Sequence, residues 1–261
     1  MPVRLEIRPL PTASIQPLRR SHDAPCPILF APFAKRMGCL LSLSLLAALP
    51  AFGQAPPAPA ARFVVVLDAA HGGDDTGGRL GNPTAAAQPE KAFTLALSVR
   101  VRSLLAARGF SVVTTRESDV SVTDDRRAEI ANRANAQACL SLHASQSGSG
   151  IHLYASSLTP AEPARLLAWK TAQAAYVTRS LALAGVLNSA LGHAAMTVTL
   201  GSTALPSIDS MACPAVAIEI APELGPNRAI TGALDDPAYQ ARVATALAAA
   251  IVQWRAEVRQ P

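Results

Sequence analysis

The sequence predicts an α/β fold: a single domain built on a mostly parallel twisted sheet flanked by helices on both faces. Three observations predict it. Short, largely apolar runs at 63–67, 138–142 and 215–220 have the length and composition of buried strands. Longer stretches between them carry apolar residues at helical spacing. Glycine and polar residues separate the two kinds of segment, so strand and helix alternate along the chain.

Folded structure is expected from Arg62. The run Phe63-Val64-Val65-Val66-Leu67 leads directly into Asp68-Ala69-Ala70-His71-Gly72-Gly73. The two glycines permit a sharp turn. His71 would then stand beyond the carboxyl end of a strand, where ligands bind in open α/β sheets. Residues 77–89 read as loop. Glu90 opens a helix running to about Arg108, with Phe93, Leu97, Val101 and Leu104 or Leu105 on one face and Gly109 as its stop. Residues 110–115 form the next strand. Residues 124–135 form the next helix, with Asp124 and Asp125 suited to its N-terminus. The strand at 138–142 also ends in a histidine, His143. Residues 151–154 form a short strand, followed by a proline-interrupted loop. A long amphipathic helix is expected over 168–191. The strand at 215–220 carries Glu219 within an apolar run, and 237–254 closes the domain as a helix.

The first 53 residues read differently. Lys35 and Arg36 precede Met37, an apolar run follows from Cys39 to Leu49, and Ala51-Phe52-Gly53 offers a small-residue cleavage site. This is the pattern of a secretory signal: the run is too short to span a bilayer comfortably. Met37 is the expected start, which makes 1–36 an extension. Residues 54–61 form a Pro/Ala linker, leaving a folded domain at 62–257 that is expected to be periplasmic or extracellular, with no stable membrane span after cleavage. The N-terminal 53 residues hold six of the 23 basic residues but only two of the 18 acidic ones, so the net charge of +5 belongs largely to them. The nearly balanced remainder argues against nucleic acid as a partner.

Four ionisable residues stand out as candidates for chemistry: His71, Glu90, His143 and Glu219. Two His and one Glu suit a catalytic zinc with an open fourth position for water, and a further carboxylate would act on that water as base or acid. Taken singly, a histidine after a strand is usually a surface residue, and Glu90 is favoured by the helix dipole. Glu219 is harder to dismiss, because a charge inside a core strand needs a reason. Ser145 and Ser147 lie near His143, but no Gly-x-Ser-x-Gly elbow accompanies them. His152 and His193 read as surface or packing residues. Cys139 and Cys213 either pair or stay buried free thiols.

Six segments in order resemble the zinc-dependent N-acetylmuramoyl-L-alanine amidases of the cell-separation type. They are Asp68-Ala69-Ala70-His71-Gly72-Gly73; Glu90-Lys91; Thr115-Arg116-Glu117-Ser118-Asp119; Arg127 with Ile130-Ala131-Asn132-Arg133-Ala134; Ser141-Leu142-His143-Ala144; and Pro214-Ala215-Val216-Ala217-Ile218-Glu219. The resemblance spans residues 63–254. It implies Zn²⁺ held by His71, Glu90 and His143, catalysis by Glu219, and cleavage of the amide between the lactyl group of N-acetylmuramic acid and L-Ala in peptidoglycan. It also suggests Asp68 as a residue orienting a ligand histidine. Two departures stand out: Ala70 replaces a glycine, which requires a negative φ there, and the residues after Glu219 differ from the usual Gly-Phe-x-Ser-Asn. No helical insertion of the kind that plugs partner-activated members follows His143, so constitutive activity is expected, with no regulatory protein identified. The alternatives are a wall-binding pseudoenzyme and a zinc amide hydrolase acting on another peptide or acyl-amino sugar.

Overall fold

A computed structural model describes residues 62–81, 87–162 and 168–259. The expected signal segment (1–53) and linker (54–61) lie outside the described residues. In chain order the elements are β1 (Val64–Ala69), β2 (Arg79–Leu80), β3 (Gln88–Pro89), α1 (Glu90–Ala106), β4 (Ser111–Thr114), α2 (Asp124–Arg133), β5 (Ala138–Ala144) and β6 (Ile151–Ser156). A 3-10 segment (Trp169–Ala175) leads into α3 (Val177–His193), then β7 (Val198–Thr203), α4 (Pro206–Asp209), β8 (Ala215–Ile220), β9 (Glu223–Leu224), β10 (Ile230–Gly232) and α5 (Pro237–Arg259).

Six strands form one sheet in the order β4-β1-β5-β8-β6-β7. Every neighbouring pair is parallel except β6 with β8. Because side chains alternate along a strand, each strand feeds both faces of the sheet. Leu67, Leu140, Leu142, Val216 and Ile218 enter the larger core with α1, α3 and α5. Val66, Cys139, Ala215 and Ala217 point the other way, into a smaller core with Ala128 and Ala131 of α2 and Ile208 of α4. Helices on both faces explain why these strands read as unbroken apolar runs. At the carboxyl ends of β5 and β8 the smaller-core face carries His143 and Glu219.

Two features differ from the sequence reading. The helix expected over 168–191 is broken at Tyr176, where φ is −119°. Buried Gln173 donates to the carbonyls of Met211 (2.8 Å) and Cys213 (3.0 Å) and accepts from Ser180 (2.6 Å). These long-range bonds hold the preceding turn in 3-10 geometry, which helical spacing alone cannot signal. The edge strand β7 and the short two-stranded ribbons β2–β3 and β9–β10 are also absent from that reading, being short or polar. Among the described residues no helix is long and apolar enough to cross a membrane.

Cys139 and Cys213 form a disulfide across a sequence separation of 74, joining β5 to the segment entering β8. A cross-link over so long a loop removes much unfolded-state entropy. Its reduction is expected to lower stability by about 2–4 kcal/mol, measurable by denaturant unfolding with and without a thiol reductant.

Candidate active site

The site is assembled around the loop that follows β1. Ala70 does not have a positive φ; the left-handed residue is His71, with φ 62°. The methyl group at position 70 therefore costs nothing, and the strain sits on His71, whose carbonyl accepts from Arg127 Nη2 at 2.8 Å. Gly72 has φ 131°, and a Cβ there would stand 2.3 Å from the Val120 carbonyl oxygen. Only glycine fits that turn.

Beneath the loop lies a buried polar network. Asp68 accepts from Thr115 Oγ1 (2.7 Å), Arg127 Nη1 (2.6 Å) and Ser141 Oγ (2.7 Å). Arg116 donates to the carbonyls of Ala69 (2.9 Å), Ala70 (3.0 Å) and Lys91 (2.7 Å). These two arginines fasten the loop to α1 and α2. Every polar atom of a buried network must find a partner, and among the described residues no buried side-chain polar atom lacks one.

Glu90, the first residue of α1, is buried between the two histidines. Its Oε1 accepts from Ala144 N (2.9 Å) and lies 3.5 Å from His143 Nδ1. Its Oε2 accepts from Gly78 N (2.9 Å) and lies 3.1 Å from His71 Nε2. The far nitrogen of each ring is also engaged. His71 Nδ1 bonds Asp75 Oδ2 at 2.8 Å, and His143 Nε2 meets Ser141 Oγ at 3.2 Å. Ser141 gives its single proton to Asp68, so its oxygen accepts from Nε2–H, and Nδ1 is the His143 nitrogen that faces Glu90. Asp68 thus reaches His143 through Ser141, not by direct contact.

Three donor atoms, one from each of His71, Glu90 and His143, lie within 4.8 Å of one another. With zinc–ligand bonds of about 2.0–2.1 Å, a tetrahedral site has donor–donor edges of roughly 3.3 Å. The 3.1 and 3.5 Å separations straddle that value. Two neutral imidazole nitrogens and a carboxylate, each held by a further hydrogen bond, fit a divalent metal of this kind.

Without metal the cluster is an ion pair. Burial alone would raise the Glu90 pKa, but hydrogen bonds from His143, His71 and the Ala144 and Gly78 amides hold it well below the ordinary carboxylate range. The hydrogen bond to Glu90 raises His71 from 6.5 to about 9, against the opposing effect of burial and with help from Asp75. The His71 contribution to stability is therefore complete below about pH 6.5 and lost as pH rises through about 9; that of Glu90 is lost only in acid. A metal must displace the His71 proton. Zinc uptake near pH 7.5 is expected to release about one proton per ion, seen as a calorimetric heat that depends on the buffer's ionisation enthalpy; a buffer-independent heat would contradict it.

Glu219 sits beside His143 on β5 and His152 on β6 in the strand register. It reads from sequence as a charge inside a core strand, and alternation resolves the difficulty. Ile218 and Ile220 are fully buried on the helix-packed face, whereas Glu219 is half-buried and faces a cavity. That cavity, of about 710 Å³, is lined by all four residues singled out from the sequence. Among the described residues the Glu219 carboxylate has no hydrogen-bond partner, leaving it open to whatever enters.

Ser145 and Ser147 hydrogen-bond each other (2.8 Å), His152 bonds Thr199 (2.6 Å), and His193 bonds the Ser189 carbonyl (2.7 Å). After Glu219 the unusual segment folds into the β9–β10 ribbon, tied down by Tyr239 Oη donating to the Ala221 carbonyl (2.7 Å) and by an Arg242–Glu223 ion pair. Sequence reasoning missed Asp75 and Ser141 as partners of the histidines. Ser141 was findable, since two residues before His143 on a strand means the same face; nothing in the spacing marks Asp75.

A protein-family model described as N-acetylmuramoyl-L-alanine amidase (Amidase_3) matches residues 65–253. The chain is 41% identical over 83 residues to N-acetylmuramoyl-L-alanine amidase AmiA of Escherichia coli (strain K12), an alignment covering 31% of this chain and 27% of that protein. The chain thus matches only about a quarter of that relative's length. Its fold is similar to the catalytic domain of CwlV, an N-acetylmuramoyl-L-alanine amidase from Bacillus (Paenibacillus) polymyxa var. colistinus, with TM-score 0.58 and 25% identity over 74% of this chain and 98% of that one. Ami1 of Mycobacterium smegmatis is similar in fold, with TM-score 0.56 and 20% identity over 75% of this chain and 97% of that one.

Proposed function

The chain belongs to the N-acetylmuramoyl-L-alanine amidase family, and on that premise we propose that it hydrolyses the amide joining the lactyl group of N-acetylmuramic acid to L-Ala of peptidoglycan stem peptides. The observation that carries the reading is the convergence of His71, Glu90 and His143 at the wall of a cavity that Glu219 also faces. His71 through Nε2, His143 through Nδ1 and Glu90 would hold Zn²⁺. When bound there, the ion supplies a Lewis acid that acidifies water and polarises a carbonyl.

The chain's own residues do the rest. Glu219 takes a proton from the water that adds to the lactyl carbonyl carbon, then passes it to the L-Ala nitrogen as the C–N bond breaks. The products are a lactyl carboxylate and a stem peptide with a free amine. Asp75 and Ser141 keep the two imidazoles turned so that the lone pairs of His71 Nε2 and His143 Nδ1 face Glu90. The catalytic domain spans 62–257, preceded by a linker and by an export signal starting at Met37. The Cys139–Cys213 disulfide supports an oxidising compartment, periplasmic or extracellular.

The test gives the purified protein peptidoglycan with added zinc or with a chelator. Stem peptides beginning with L-Ala should appear in the first case, vanish in the second and return on zinc addition. No release by the zinc-loaded protein would overturn the proposal, and cuts within the stem would make it a peptidase.

A further inference from the structure

Among the described residues Arg79 is the one Lys or Arg side chain in the wall of the cavity that holds the four site residues. The backbone on either side of it is fastened. Gly78 N donates to Glu90 Oε2 at 2.9 Å, and Gly81 N donates to Gln146 Oε1 at 2.9 Å. Between them Leu80 is 3% exposed and packed in the larger core. Side chains alternate along β2, so burying Leu80 turns Arg79 toward the cavity, and pairing with β3 holds that orientation. Yet the guanidinium makes no ion pair or hydrogen bond among the described residues, unlike Arg116 and Arg127 beneath the same loop. The two carboxylates in the wall are otherwise committed: Glu90 lies between the histidines, and Glu219 is the proposed base. A guanidinium at the wall of a cleft, unpaired among the described residues, is suited to a planar anion from the substrate.

Building on the amidase reading, we propose that Arg79 binds the free α-carboxylate of the second stem-peptide residue, a glutamate joined onward through its side chain. The enzyme would thereby prefer stems in which this group is ionised to stems in which it is amidated. The scale agrees. Gly78 touches a proposed metal ligand, and the Arg79 Cα lies one residue, about 3.8 Å, further along. In an extended substrate the α-carboxylate is two residues, roughly 7 Å, from the scissile carbonyl. An arginine side chain bridges that interval.

The experiment compares two synthetic N-acetylmuramoyl peptides that differ only in carrying an α-carboxylate or an α-carboxamide on the second residue. With the zinc-loaded full chain, kcat/KM should favour the free acid roughly 10–100-fold, the range for a hydrogen bond to a charged group. In Arg79→Met that ratio should fall to about 1, with the loss appearing in KM more than in kcat. Arg79→Lys should lie between, and zinc content measured in each variant separates loss of the anion site from damage to the metal site. Equal cleavage of both peptides by the unaltered chain, or a ratio unchanged in Arg79→Met, overturns the assignment and leaves the amidase reading intact. Cleavage of neither peptide by the unaltered, zinc-loaded chain overturns the amidase reading and this proposal with it.

Discussion

Glu219→Gln is expected to lower the rate of stem-peptide release by about 10²–10⁴-fold, the range attributed to loss of a general acid–base group, while zinc content stays at one ion per chain. The two halves of that expectation have separate physical origins. Glutamine matches glutamate in shape but cannot take a proton from water at neutral pH, so proton transfer fails. The proposed ligand set does not include residue 219, so metal retention should be unaffected. Stability should change little, because the side chain is half-buried and no hydrogen bond within the described residues is lost. Rate assays beside metal analysis and thermal unfolding check all three points. A variant with near-normal turnover would remove Glu219 from the mechanism; one that loses zinc would make it a ligand instead.

Asp68→Ala is expected to cost about 3–5 kcal/mol of folding stability, as expected when one partner of a buried ion pair is removed. For a domain of this size that corresponds to a melting temperature lower by about 6–20 °C. Asp68 and Arg127 are both almost completely buried, and their contact is 2.6 Å. Removing the carboxylate leaves the guanidinium with only neutral partners, three carbonyls and the Thr115 hydroxyl, and also deprives Thr115 and Ser141 of an acceptor. Zinc affinity should fall with it, by roughly 10–100-fold, because Ser141 would no longer be obliged to accept from His143. Asp68→Asn keeps an acceptor oxygen and should lose less on both counts. Parallel melting curves and zinc titrations of the two variants would test this; an Asp68→Ala protein as stable as the parent would mean that the network is not what fastens the loop.

Much of the architecture was legible in the chain. Runs such as Val64-Val65-Val66-Leu67 and Ala215-Val216-Ala217-Ile218 are too uniformly apolar for a one-sided sheet, which is why helices on both faces could be anticipated. Phe93, Leu97 and Val101 likewise marked the buried face of α1. The break at Tyr176 was not legible, because it depends on Gln173 finding carbonyls about 40 residues away. Nor was the pairing of Cys139 with Cys213, since the approach of two cysteines is a property of folded strands.

The segment 68–73 shows the division within one loop. Sequence by itself determined that a histidine would follow a buried strand and that glycines would let the chain turn there. It also determined that Glu90 and His143 would stand at a helix start and a strand end where they could meet it, and that Glu219 would lie within a buried strand. These are local properties, set by hydrophobic period and by the backbone freedom of glycine. Only the tertiary structure decided that His71, not Ala70, takes the left-handed conformation, that Asp75 and Ser141 fix which ring nitrogens face Glu90, and that Glu219 looks into the cavity. Those outcomes depend on hydrogen bonds and strand registers between residues far apart in the chain, and no single stretch of sequence contains them.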